Sequence, residues 1–147
     1  AGDIVILDSA YKNREDFYAE YEETNETELN PLSRFSLYLK LPQNLKRRYY
    51  VKRVIGMPGD VIDLRDGNVL VNGEILDEPY YDGVTSTTDF KTEYPFTVSE
   101  ECVFVMGDNR PNSKDSRSSE LGEVPIKALA GKSQFRIWPF NAIGKTK

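Results

Sequence analysis

A lysine stands in the middle of an apolar, strand-prone run, Tyr49-Tyr50-Val51-Lys52-Arg53-Val54-Ile55, and a Pro-Gly turn ends that run at Gly56-Met57-Pro58-Gly59-Asp60. Side chains alternate between the faces of a strand, so Lys52 shares one face with Tyr50 and Val54. An ammonium among apolar neighbours loses hydration, and burial lowers a lysine pKa to roughly 5–6 in extreme cases. Such an amine can act as a general base. The alternative is an edge-strand lysine that reaches into water and protects an exposed edge. The sequence contains no histidine. That excludes Ser/His/Asp and Cys/His catalysis and every histidine-ligated metal site.

A second polar stretch could serve such a base. The apolar run Cys102-Val103-Phe104-Val105-Met106 passes directly into Gly107-Asp108-Asn109-Arg110-Pro111-Asn112-Ser113-Lys114-Asp115-Ser116-Arg117. Gly, Asp, Asn, Pro and Ser are turn formers, and alternating charges commonly just solvate a loop. This loop, however, leaves a buried strand, which sets its polar groups against the core. It also offers a hydroxyl and several charges that a buried base needs as partners.

The elements that must position these residues read as mainly β. Residues 2–7 form a strand. Asp66-Gly67-Asn68 separates two apolar runs and Asn72-Gly73 leads into a third, both strong hairpin signals because these residues tolerate positive φ. Short strands over 61–64, 69–71, 74–76, 96–98 and 103–106 make a meander, and a last strand runs over 130–138. Residues 78–92 are a polar loop. Cys102 is expected to be a packed core thiol, since no second cysteine exists to pair with it. The predicted class is a mainly β, coiled antiparallel sheet, with 1–147 as one domain carrying an insertion at about 8–48.

That insertion is polar. Residues 8–30 carry eight acidic side chains against Lys12 and Arg14, and one short helix is expected over 14–23. Residues 31–53 carry seven bases and no acid. Opposite charge on adjacent segments implies that the two halves fold back on each other. Phe35, Leu37, Leu39 and Leu41 alternate with polar or amphipathic neighbours, a strand pattern that Pro42 ends. Around 22–30 the apolar content is too low to offset ordering entropy, so mobility is expected there.

A net charge of −5 argues against nucleic acid as a partner. The apolar runs are too short to span a bilayer. Nothing calls for a metal or a cofactor.

Taken together, the Lys52 stretch and the 107–117 loop closely resemble two signature boxes of bacterial type I signal peptidases. Gly2-Asp3-Ile4-Val5-Ile6 resembles a third, and the boxes stand in the family's order. The resemblance implies a serine/lysine endopeptidase, held on the extracytoplasmic face of the cytoplasmic membrane, that cleaves signal peptides from exported preproteins. It implies that Lys52 is the general base and that Ser113 orients it. It further implies that Arg53, Asp108, Asp115 and Arg117 form an ionic scaffold, while Tyr49, Tyr50 and Val51 lie beside an extended substrate with small residues at its cleavage site. Two departures stand out. The family's nucleophile lies in a Ser-Met-x-Pro-type box upstream of the strand matching 2–6, and no such box occurs here. This chain is therefore expected to lack the nucleophile and the membrane anchor and to be inactive alone. The 8–48 segment is also longer than the family's usual connection. The alternatives are a self-cleaving Ser/Lys repressor-type peptidase, against which Asp115-Ser116-Arg117 argues, and a non-catalytic signal-peptidase-like assembly factor for surface pili.

Overall fold

The computed structural model describes residues 2–87, 92–136 and 144–145. It divides into two compact units, one formed by Ala1–Leu7 with Val51–Lys147 and the other by Asp8–Tyr50.

The first unit is built on β structure. A five-stranded antiparallel sheet runs in the order Val124–Pro125 (β8), Cys102–Met106 (β7), Tyr49–Gly56 (β2), Ile4–Asp8 (β1), Leu129–Lys132 (β9). A four-stranded sheet runs Glu74–Ile75 (β5), Asn68–Val71 (β4), Val61–Arg65 (β3), Phe96–Thr97 (β6). The hairpins close where the turn chemistry demands. Arg65 pairs with Asn68 across Asp66 (φ 52°) and Gly67 (φ 80°), and Val71 pairs with Glu74 across Asn72 (φ 55°) and Gly73 (φ 85°). Positive φ at both central residues gives the twist that matches the flanking strands. Ile55 of β2, Phe104 and Met106 of β7, Ile62 of β3, Val69 of β4 and Val98 form one buried cluster between the sheets. Burial of each such side chain stabilises the fold by about 1.5–3 kcal/mol. Cys102 packs partly buried against this cluster.

The expected final strand is shorter and broken. Leu129–Lys132 ends before Ser133, and Phe135–Arg136 (β10) pairs instead with Gly144–Lys145 (β11). Residues 137 and 138 lie outside the described residues.

The second unit holds two helices, Tyr11–Asn25 (α1) and Pro31–Lys40 (α2). Helix α1 is longer at both ends than the expected 14–23. It stops at Glu26, which turns left-handed (φ 49°) and returns its N–H to the Glu22 and Glu23 carbonyls. The strand expected over 35–41 is a helix. Asn30 caps it by accepting a hydrogen bond from Ser33 N at 2.9 Å, and Pro31 occupies its first turn with φ already suited to a helix. Over so short a run the apolar alternation also satisfies a helical stripe, and the cap decides between them.

The inward side of α2 carries half-buried Ser33, Arg34, Leu37 and Tyr38. Arg34 donates to Glu15 at 3.0 Å, lies 3.6 Å from Glu22, and stacks 5.0 Å from the centre of the buried Tyr18 ring. The acidic and basic halves thus fold back on each other as their charges imply. Over 22–30, where mobility is expected, the structure has local polar bonds. Leu29 N donates to Glu22 Oε1 at 2.9 Å and Thr27 N to the Glu22 carbonyl at 3.1 Å, so polar bonds close a stretch poor in apolar contacts. At the mouth of the unit Asp8 accepts from Arg14 Nη2 at 2.7 Å and from Arg48 N at 3.2 Å.

Candidate active site

Lys52 lies on β2, which is flanked on both sides by β7 and β1 and is not an edge. The edge-lysine reading therefore fails on topology. Its Nζ, half-buried with the residue, donates a hydrogen bond to Ser113 Oγ at 2.9 Å. The 107–117 loop delivers Ser113 because it folds back on the strand it leaves. Ser116 N donates to the Val105 carbonyl at 3.0 Å, and Val105 N donates to Ser116 Oγ at 2.9 Å. Gly107 N donates to Asp115 Oδ2 at 2.9 Å. A single turn of 3-10 helix at Arg110–Asn112 takes up the slack.

Asp115 and Arg117 form a fully buried pair below this contact. Arg117 Nε and Nη2 each lie 2.9 Å from an Asp115 carboxylate oxygen, and both side chains are under 3% exposed (2% and 0%). Burial alone would raise the Asp115 pKa. The bonds from Arg117 and Gly107 N outweigh it and hold the carboxyl below its ordinary value, with a smaller contribution from the nearby Ser113 hydroxyl. The Lys52 amine is pushed below its ordinary value by burial first and by the nearby Arg117 charge, against an opposing pull from Asp115. The result favours the neutral, proton-accepting amine more than water would.

The four charged residues named from the sequence make two separate pairs rather than one network. Arg53, on the face of β2 opposite Lys52, grips Asp108 with Nε–Oδ1 at 2.9 Å and Nη2–Oδ2 at 2.8 Å, and donates to the Gly2 carbonyl at 2.8 Å. Arg53 is buried, whereas the Asp108 side chain is 43% exposed. Of the proposed substrate strand, Tyr49 and Val51 are exposed and Tyr50 half-buried. The boundary between the two units falls between Tyr50 and Val51.

Three further contributors had no sequence signal of their own. Arg110, 1% exposed, donates to both Glu78 carboxylate oxygens, to Thr85 Oγ1 at 2.6 Å and to the Gly107 carbonyl at 3.2 Å. Tyr80 stacks 3.7 Å beneath the Arg53 guanidinium. Burial and its bond to Glu78 raise the Tyr80 pKa, so its hydroxyl stays protonated. Gly107 is needed for space, because a Cβ there would overlap Ser113 Oγ and come within 3.4 Å of Lys52 Nζ. Among the described residues no cluster of acidic and sulfur ligands fit to hold a metal occurs.

Comparison with known proteins gives the family. The family model described as signal peptidase, peptidase S26, matches residues 1–138. A signal peptidase I of Bacillus amyloliquefaciens is 43% identical over 113 residues, covering 71% of this chain and 59% of that protein. The signal peptidase I S of Bacillus subtilis strain 168 is 42% identical over 107 residues, covering 67% and 56%. The chain thus spans somewhat over half the length of these relatives. A crystal structure of a signal peptidase I from Enterococcus faecalis V583 superposes with a TM-score of 0.53 over 88% of this chain and 92% of that one. At 24% identity it supports the mainly β fold alone.

Proposed function

Because the chain belongs to the signal peptidase, peptidase S26, family, we propose that it forms most of the catalytic domain of a signal peptidase I, a serine endopeptidase that removes signal peptides from exported preproteins. The observation that carries this reading is the Lys52 amine, lowered in pKa by burial and held 2.9 Å from the Ser113 hydroxyl.

In this reading neutral Lys52 takes the proton from a serine hydroxyl while its oxygen attacks the scissile carbonyl. Collapse of the tetrahedral intermediate expels the new amine, which takes that proton from the Lys52 ammonium. Water then cleaves the acyl ester with Lys52 again as base. Ser113 is not that nucleophile. It accepts a hydrogen bond from Lys52 and in this reading orients the amine instead. In this reading the nucleophile is the serine of a Ser-Met-x-Pro-type box upstream of Gly2, a box that residues 1–147 do not contain. The same upstream region anchors the protein to the cytoplasmic membrane, with the catalytic domain on its extracytoplasmic face. Substrate lies extended beside Val51, and small side chains at its cleavage site fit the shallow surface.

The test is cleavage of a peptide bearing a small-x-small signal-peptide site by the protein joined to its upstream serine segment. Cleavage at that site, lost in Lys52→Ala with the fold intact by circular dichroism, is the expected result. Unchanged cleavage by Lys52→Ala overturns the assignment.

A further inference from the structure

Helix α2 is apolar on its outward side as well as its inward one. The outward side presents Leu32 at 76% exposure, Phe35 at 59% and Leu39 at 60%, while Leu37 and Tyr38 face inward beside Ser33 and Arg34. Positions i, i+3 and i+7 share one side of a helix, so the three form a continuous apolar stripe. The cap and the Arg34 pairs fix the helix in this orientation, which makes the exposure a property of the fold.

The charge around this stripe says what covers it. From Pro31 to Gly59 the sequence has no acidic residue. Lys40 on the outward side and Lys46, Arg47 and Arg48 just beyond the helix have no carboxylate within ion-pair distance among the described residues. The acids of α1 that approach α2, Glu15 and Glu22, are taken up by Arg34 on the inward side. An apolar stripe of Leu and Phe followed in the chain by cations outside any ion pair, with Asp8 acting on Arg47 alone at longer range, is the pattern of a helix lying in a lipid interface. A two-fold pairing of two copies through this stripe would bring those cations against their own kind.

We propose that α2 is an interfacial docking helix, with Leu32, Phe35 and Leu39 inserted among the acyl chains of an anionic bilayer and Lys40, Lys46, Arg47 and Arg48 on its headgroups. This contact is independent of the Lys52 chemistry. It gives the 8–48 insertion a task of its own, holding this part of the chain at a membrane surface.

The experiment is flotation of the whole 147-residue protein with vesicles, read without any cleavage. Phosphatidylcholine vesicles with about one-third phosphatidylglycerol are compared with pure phosphatidylcholine. The variants are Leu32→Gln/Phe35→Gln/Leu39→Gln, which keeps helix-forming residues at exposed positions, and Arg47→Gln/Arg48→Gln. The wild type is expected to float with anionic vesicles and to be released as salt rises from about 0.05 to 0.5 M, the range over which surface charges become screened. The triple variant is expected to bind at least about tenfold more weakly, and the double variant about tenfold more weakly. Equal binding to neutral vesicles, unchanged binding by the triple variant, or no binding at all overturns the proposal. So does self-association in vesicle-free solution that the triple variant abolishes, which would assign the stripe to a second copy of the chain.

Discussion

Lys52 Nζ and Ser113 Oγ lie 2.9 Å apart although 61 positions separate them in the chain. Two strands make that possible. β2 and β7 pair antiparallel with Arg53 opposite Met106, so the residue before Arg53 and the loop after Met106 emerge at the same place in the sheet.

This contact predicts an activity profile. Arginine keeps the charge but cannot lose its proton at accessible pH. Lys52→Arg is therefore expected to reduce cleavage by the complete enzyme by about three orders of magnitude or more, and Ser113→Ala to reduce it less. In the wild type, activity should rise with pH through a value below 10.5, the ordinary lysine value. A pH–rate profile of kcat/KM checks both. Comparable turnover by Lys52→Arg would reduce the residue to a positive charge.

The two ion pairs differ in burial, and so should the damage. Removing one partner of a buried pair costs about 3–5 kcal/mol, because the other charge is left uncompensated. Asp115→Ala exposes Arg117 to that penalty. Asp108 is 43% exposed, and Arg53 keeps the Gly2 carbonyl and the Tyr80 ring without it, so Asp108→Ala should cost nearer 1–2 kcal/mol. Ser113→Ala should cost about 1 kcal/mol. Denaturant midpoints of the three variants give the order directly.

Asp115 also sets an acid limb. Its folded pKa lies below the ordinary 3.8, so its contribution to stability is fully present above that value and is lost as pH falls through the folded pKa. Wild type and Asp115→Asn are expected to differ most at neutral pH and to converge in strong acid. Lys52 acts in the opposite region. Between its lowered folded pKa and 10.5 the unfolded chain binds the extra proton, so stability rises with pH across that window. Lys52→Met should flatten that rise in urea midpoints measured from neutral to alkaline pH.

Gly107→Ala probes the space around the hydroxyl. The new methyl group would clash with Ser113 Oγ and Cβ, so Ser113 is expected to shift away from Lys52. Activity is expected to fall at least to the level of Ser113→Ala. A variant with wild-type turnover would show that the loop can shift without consequence.

Arg110 is predicted to matter as much to folding as the residues named for chemistry. Arg110→Ala leaves Glu78, whose side chain is 10% exposed, without its cation, at a cost of about 3–5 kcal/mol. Thermal melts of Arg110→Ala and of Glu78→Gln test this, and the conservative glutamine should lose less.

The sequence by itself determined what is local. Asp66-Gly67 and Asn72-Gly73 select their hairpin turns because those residues adopt positive φ, and the run at 102–106 is apolar enough to be buried wherever it lies. The placement of a lysine within an apolar run was likewise legible, and with the 107–117 loop it was enough to indicate the family. Local pattern failed at α2, where residues 35–41 satisfied strand and helix alike until the Asn30 cap and the Arg34 pairs with α1 decided for helix. Only the tertiary structure decided which ions pair. Arg110 finds Glu78 from 32 positions away, and Arg53 finds Asp108 from 55. Those distances are closed by sheet pairing and by the burial of the Ile55, Ile62 and Phe104 cluster, which are properties of the whole chain and leave no signature in any one segment.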